Sequence, residues 1–426
     1  MTEVSQDAIY RKITLRLIPF LCFCYLAAYL DRINVGFAKL QMLDHLRFSE
    51  AAYGLGAGLF FVGYILFEVP SNLILQRVGA RLWIARIMVT WGLLSGATML
   101  VTETWHFYLL RFLLGVAEAG FLPGVLYYLT YWFPSYRRGR IIALFMTGLP
   151  LSSLIGGPLS GWIMRTFDMS AGLHGWQWLF LLEAIPTVVL GVACLFCLPN
   201  RPADARWLSA DERRVLEEQL HADEAENPSR NVSFRQGFFN LKVWMLGGID
   251  FAILLSAYAI GFWLPTFLRN AGVVDTFEIG LLTAVPSLAA LVSMLVLGAS
   301  SDRFRERRWH IIVPFLIGAA AMFASTFFSH SPTGTVVFFS IAFAAVIGAV
   351  PVFFSLPATF LKGTAAATGF ALACSVANIA GLVGNSLMGL VMELFQSAQI
   401  ALWIFAACLL LGAALVIALP ARVVNR

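Results

Sequence analysis

The chain has 426 residues, of which 59% are apolar and 12% charged, with a formal net charge of +5. A soluble protein of this length carries about twice that charged fraction, so a water-soluble globular domain is excluded. No alternating ten-residue strand pattern occurs, which sets aside a β-barrel. Apolar stretches of about 18 residues or more recur instead, each long enough to cross a bilayer core as a helix.

Read in chain order, the polar N-terminus "MTEVSQDAIYRK" precedes an apolar run with no small-residue cleavage site. That run is expected to stay as a first membrane span and not to be removed as a signal peptide. Six spans are predicted near 15–37, 52–74, 82–101, 107–131, 140–164 and 177–198. Six more follow near 243–268, 277–299, 310–328, 334–358, 364–391 and 399–419. The fold class expected is an all-α polytopic membrane protein of twelve transmembrane helices in two pseudo-symmetric six-helix bundles, residues 1–198 and 241–426. The polar linker 199–240 between them contains "SADERRVLEEQLHADEAE", whose helical spacing predicts a short helix on the membrane face.

Of the 29 Lys and Arg residues, 23 fall on the side of the termini, in clusters such as Arg77/Arg81/Arg86 and Arg303/Arg305/Arg307/Arg308. The opposite loops are expected to hold four, Lys39, Arg47, Arg165 and Arg269, and two, Arg32 and Arg111, lie inside spans. By the positive-inside rule both termini face the cytoplasm, in an inner (plasma) membrane. The net positive charge is thus a topology signal, and no nucleic-acid partner is implied.

Cys22, Cys24, Cys194, Cys197, Cys374 and Cys408 all lie in apolar spans, where Cys behaves as a small hydrophobe. Cys194 and Cys197 have a C-x-x-C spacing without a second pair or a His, so no metal site is expected. No P-loop occurs, since "LKGT" at Leu361 lacks the upstream glycine, and ATP-driven transport is disfavoured. No nucleophile–base constellation suggests an enzyme.

The two halves show weak internal symmetry. "NLILQRVGAR" follows the second span and "GASSDRFRERR" the eighth. The "G-x-x-x-D-R-x-x-x-[RK]" pattern at Gly298, Asp302, Arg303 and Arg308 resembles the loop motif of the major facilitator superfamily; Gln76 stands in the acidic position of the first copy. Within it, "YLDRINVGFA", "PSNLILQRVGARLWIAR", "RFLLGVAEAGFLPG", "WQWLFLLEAIP" and "FWLPTFL" resemble the anion:cation symporter family over nearly the whole chain. The runs "AEAGFLPGVLYYLTYWFPSYRR" and "ALFMTGLPLSSLIGGPLSG" are closer to the branch that carries tartrate, rhamnonate-type sugar acids and 4-hydroxyphenylacetate. The resemblance implies a monomeric carrier of a small carboxylate with protons as the coupling ion and no cofactor.

Charges inside spans cost about 2.5–3.5 kcal/mol each on insertion scales, so Asp31 and Arg32 are expected to face a cavity or other charges. Arg111 and Glu118 are seven residues apart, two helical turns, and share a face. Two cations and two carboxylates in one pocket would cancel, and protonating either acid would release an Arg to meet an anionic substrate. Arg suits that role because its planar fork binds carboxylate in bidentate fashion. The resemblance likewise implies Asp31 and Glu118 as proton carriers and Arg32 and Arg111 as substrate or switching cations. A static ion network is the alternative.

Tyr29 and Tyr64 could hydrogen-bond substrate, or serve as packing residues. By the resemblance Ser355 and Asn378 match positions that bind hydroxyls and carboxylate of sugar acids, with Asn385 ranking behind them. Leu149 replaces a Gln of the galactonate-type members, and "FFSLPATF" lacks their Trp, which points to a smaller or more apolar substrate. Glu68 is placed where it could hold a gate against Arg residues, and Glu183 and Asp250 are also in or near spans. Gln76, Arg77, Arg81, Asp302 and Arg303 are assigned a conformational role, by capping helix ends and pairing charges. Breakers in "GLPLSSLIGGPLSG" and "GAVPVFFSLP" sit at mid-membrane depth and suit a rocking bundle. A proton-independent anion exchanger or facilitator, and a sensor built on the carrier fold, are the competing functions.

Overall fold

A computed structural model describes residues 6–226, 241–356 and 364–421; the linker beyond position 226 and the 357–360 end of "FFSLPATF" lie outside them. Among the described residues, twelve helical spans are long and apolar enough to cross a membrane. The N-terminal half holds α1 (Gln6–Leu46), α2 (Glu50–Val78) and α3 (Ala80–Ala97). Its fourth span is divided into α4 (Thr104–Glu118) and α5 (Phe121–Thr130), its fifth into α6 (Ser135–Met146) and α7 (Gly148–Thr166), and α8 (Gly175–Cys197) closes it. After α9 (Ala210–Glu226) the second half runs α10 (Leu241–Asn270), α11 (Thr276–Phe304) and α12 (Trp309–Ser325). Its tenth span is α13 (Pro332–Gly348) with α14 (Val350–Ser355), followed by α15 (Thr364–Phe395) and α16 (Gln399–Ala418).

The divided spans follow the breakers in the sequence. The fifth parts at Thr147, beside Gly148 and Pro150, and the tenth at Ala349, between Gly348 and Pro351. In the fourth, Gly120 adopts φ +86°, a left-handed conformation that costs glycine little and other residues more. The break was not anticipated from the sequence, which reads as one span.

α1 is longer than its apolar run, with 41 residues, or about 60 Å at the helical rise. It is therefore about twice as long as a bilayer core of about 30 Å is thick. Lys39, expected in a loop, is instead inside α1 and 3% exposed. Its ammonium pairs with Glu50 at 2.6 Å and lies 3.8 Å from the ring centre of Trp263, on α10 of the other half. Trp263 in turn donates its indole N–H to Asn385 Oδ1 at 3.0 Å.

The two halves meet at the end of the bundle far from the termini. α2 lies against α15, where a Cβ on Gly54 would stand 2.9 Å from Gly389 Cα. α7 lies against α11, where a Cβ on Gly157 would stand 2.8 Å from the Gly280 carbonyl oxygen. Small residues let these backbones touch, as close helix packing in a membrane requires. Arg165 pairs with Asp275 at 3.3 Å, and the Glu393 carboxylate accepts the Ala51 N–H at 2.8 Å, both across the same seam. At the terminal end, α9 docks onto α1 through a Lys12–Glu212 pair of 2.8 Å. Glu212 also accepts the Ser209 N–H at 2.7 Å while Ser209 Oγ accepts the Glu212 N–H at 3.2 Å, a reciprocal capping box.

Three outcomes are expected from this packing. Gly54→Val forces the seam apart, so spin labels at Arg47→Cys and Val274→Cys, on a background lacking the native cysteines, gain a longer-distance population; an unchanged distance distribution would show that the seam tolerates a side chain there. Lys12 bonded to Glu212 holds that carboxyl below its usual range. Its contribution to docking is therefore complete above the ordinary carboxylate pKa and is lost as pH falls through the lowered value. Ser209→Ala removes the cap at a cost of about 1 kcal/mol, to be read as faster amide exchange in the first turns of α9.

Candidate functional site

The adjacent residues Asp31 and Arg32 are separated by about 100° around α1, and the structure sends them to different places. Arg32 turns toward α2 and α4. Its guanidinium forms an ion pair with Glu118 and stands over the rings of Tyr29, Phe60 and Tyr64, with centroid distances of 5.1, 5.2 and 5.4 Å. Glu118 is 2% exposed and is the last residue of α4. A helix ending there leaves carbonyl groups free and a partial negative charge at its terminus, which favours the neighbouring cation.

Arg111 lies two turns earlier on α4 and is 1% exposed. Its guanidinium stands 5.1 Å from the centroid of Phe60, the ring that also faces Arg32. Arg111 Nε and Nη2 have no hydrogen-bond acceptor among the described residues. An unmet buried donor costs about 1–3 kcal/mol, and more when charged. The cluster therefore holds one cation engaged by a carboxylate and a second that lacks an acceptor.

Asp31 corrects the expectation of a four-charge pocket. It faces α3 and α8, where Oδ2 accepts from Trp91 Nε1 and Thr187 Oγ1, each at 2.8 Å, and Oδ1 accepts from Ser95 Oγ at 3.0 Å. All of its partners are neutral, and none of the ion pairs among the described residues includes it. Trp91, Ser95 and Thr187 were missed by sequence reasoning. The signal available was polar spacing: Trp91 and Ser95 on α3, like Glu183 and Thr187 on α8, stand four apart and so share a helix face.

The remaining candidates scatter more widely. Tyr29 is half-buried and Tyr64 buried, both beside Arg32 as ring partners. Glu68 is half-buried one turn beyond Tyr64 and within electrostatic range of Arg32. In the other half Ser355 is half-buried and donates to the Val352 carbonyl at 2.7 Å, which ends α14. Asn378 is half-buried on α15. Asn385 is buried and belongs to the Trp263–Lys39 seam. Leu149 is half-buried near the start of α7, and Asp250 is buried against the Cys374 thiol.

Gln76, Arg77, Arg81, Asp302 and Arg303 are exposed in the end turns of α2, α3 and α11, beside the two terminal-side connections. Side-chain capping there is done by other residues. Glu306 accepts the Trp309 and His310 N–H groups at 2.8 and 3.2 Å and contacts His310 Nδ1 at 2.7 Å. Asn200 Oδ1 accepts the Arg81 N–H at 3.0 Å. Asp302 contributes its backbone carbonyl, which accepts from Arg305 N–H.

A family model described as Major Facilitator Superfamily matches residues 21–385. The chain is 75% identical over 422 residues to a putative metabolite transport protein, NicT, of Pseudomonas putida, covering 99% of this chain and 97% of that one. It is 43% identical over 420 residues to a putative tartrate transporter of Agrobacterium vitis, covering 98% and 93%. A solved bacterial homologue of the human lysosomal transporter Spinster superposes with a TM-score of 0.75 at 16% identity over 96% of each chain, a likeness of fold. The chain belongs to the major facilitator superfamily and is a multi-pass membrane transporter; its relatives are transporters and not enzymes.

Ser95 supplies the sole donor to Asp31 Oδ1 among the described residues. Ser95→Ala is therefore expected to destabilise the protein by about 1–3 kcal/mol, as a lowered Tm in detergent; an unaltered Tm would show that water or a neighbour replaces the hydroxyl.

Proposed function

We propose that this transporter imports a small organic anion by proton symport, through alternating access of its two halves about the Arg32–Glu118–Arg111 cluster. The substrate class is a tartrate-like dicarboxylate, a sugar acid or an aromatic carboxylate. The observation that carries the reading is Arg111: a buried guanidinium with two nitrogens lacking an acceptor, beside an Arg already held by a carboxylate. A substrate carboxylate supplies the missing acceptor, and its bidentate geometry fits the guanidinium fork.

Coupling follows from competition. Glu118 as an anion occupies Arg32, and protonating it weakens the ion pair and frees that guanidinium for substrate. Loss of substrate on the far side restores the demand for the anionic acid, which gives up its proton. The half-helices α4 and α5 meet beside Glu118, as in carriers whose sites lie at interrupted helices near the bilayer midplane. Tyr29 and Tyr64 frame the same guanidinium and could present hydroxyls to the substrate. Ser355 and Asn378, both half-buried, are the proposed substrate contacts from the second half, assigned on the sequence resemblance. The protein acts as a monomer in the inner membrane with both termini in the cytoplasm, the side on which the basic residues accumulate.

The test is internal pH in proteoliposomes on addition of tartrate, a sugar acid, 4-hydroxyphenylacetate or phthalate. Acidification with one of them identifies the class. Uptake of label without a pH change would replace symport by exchange or facilitation. With one proton per substrate anion in an electroneutral cycle, a one-unit pH gradient supports about tenfold accumulation, the equivalent of 1.36 kcal/mol. Glu118→Gln is expected to keep substrate exchange and lose that accumulation; accumulation equal to wild type would make Glu118 structural.

A further inference from the structure

α8 buries Glu183, 3% exposed, within the N-terminal half and apart from the guanidinium cluster. Ser160 of α7 donates to Glu183 Oε1 at 2.8 Å, while Oε2 has no hydrogen-bond partner. Asn34 of α1 faces the same carboxyl, is 0% exposed, and neither its Oδ1 nor its Nδ2 is paired. Asp31, one turn before Asn34, lies within electrostatic range of Glu183 and has both oxygens filled by neutral donors.

The cations of the surrounding helices are engaged elsewhere. On α1, Arg32 holds Glu118 and Lys39 holds Glu50. On α3, Arg86 lies over Trp83 at 3.9 Å, and that helix offers Trp91 and Ser95 to Asp31. On α7, Arg165 pairs with Asp275. Two carboxylates thus share an interior region that no cation enters among the described residues. Burying each as an anion would cost several kcal/mol without the compensation of a partner.

We propose that Glu183 carries an exchangeable proton in this conformation and forms, with Asn34, Ser160 and Asp31, a proton-binding site separate from the Arg32–Glu118 pair. A proton on Oε2 makes that oxygen a donor and gives it an acceptor in Asn34 Oδ1, so a single proton accounts for two unpartnered buried atoms. Asp31, with three donors, is the anion of the pair. The Glu183 proton is held by neutral groups, so a substrate carboxylate does not compete for it directly. Its affinity changes instead when α7 moves. Ser160 lies between Gly157 and Gly161, the residues at which α7 touches Gly280 and Thr276 of the other half. Parting of that seam therefore shifts the donor that holds Glu183. The bearing of this site on transport, an additional proton per cycle, rests on the symport reading above; the protonation itself does not.

The experiment is infrared difference spectroscopy of the full-length protein, reconstituted without substrate and titrated between mildly acidic and mildly alkaline pH. A band from a buried protonated carboxyl is expected in wild type, lost in Glu183→Gln and retained in Glu118→Gln. Persistence of the whole band in Glu183→Gln overturns the proposal. So does its replacement by a sodium-dependent change when potassium is exchanged for sodium, which would mark a metal cation site. Glu183→Gln is close in shape and charge to the neutral acid, so its Tm at neutral pH is expected to match wild type. A marked loss of folding would show that the anion is required, and would also overturn it. Absence of acidification with every substrate would remove symport and leave the carboxyl band in place, so the two failures are distinguishable.

Discussion

Arg32 and Glu118 are each too costly to place in hydrocarbon alone, and the N-terminal half is arranged so that neither is. The ion pair draws α1 toward α4, and the three rings of Tyr29, Phe60 and Tyr64 enclose the cation with their electron-rich faces. The interruption at Ala119 and Gly120 is part of the same arrangement, because it ends α4 at the carboxylate and places the negative pole of that helix beside the guanidinium. Removing either charge leaves the other buried without compensation, the situation that costs most in an apolar interior. A group that offers the same charge as the missing partner can take its place. On the reading proposed above, that is the physical basis on which an organic anion and a protein carboxylate would exchange roles.

The local event is useful for transport only if it biases a two-state packing, and the seam between the halves supplies one. Gly54 and Gly389, and Gly157 and Gly280, bring backbones together so closely that no Cβ fits between them. Lys39 adds a directional contact: its ammonium is held by Glu50 in one half and covered by Trp263 from the other. Such contacts are either made fully or lost together, since packed interfaces do not stretch continuously. Lys39 is on the same helix as Arg32, two turns further along. A shift of α1 that follows the loss of the Arg32–Glu118 pair is therefore carried directly to this contact.

Much of the architecture was legible because hydrophobic length is a coarse and repeated signal. The twelve spans, the paired loops and the breakers in spans five and ten could all be read from runs of apolar residues and the positions of Gly and Pro. The shared face of Arg111 and Glu118 followed from helical periodicity. Asp31 shows where that reasoning stopped: adjacency in sequence suggested one pocket, whereas adjacent residues on a helix point about 100° apart. Lys39 fell just beyond the predicted first span, 15–37, and its compensation by Glu50 and Trp263 depends on elements far apart in sequence. The break at Gly120 escaped notice because "AEAGFLPG" is apolar enough to extend the span, and only the left-handed backbone reveals it.

The separation of Asp31 from Arg32 also divides the acids of this half into two kinds. Glu118 is neutralised by a cation, so its proton affinity depends on whether another anion claims that cation. Asp31 and Glu183 are held by hydroxyl and indole groups, with the Asn34 amide facing Glu183, so their surroundings depend on the placement of α1, α3, α7 and α8. One kind responds to what is bound, the other to which way the bundle is packed. A carrier in which a single acid answered both demands would bind or release its proton whenever either changed, and would leak along the gradient it is meant to use. In the symport reading proposed above, assigning the two responses to different carboxylates, reached from directions about 100° apart around α1, would make proton movement conditional on substrate and on conformation together.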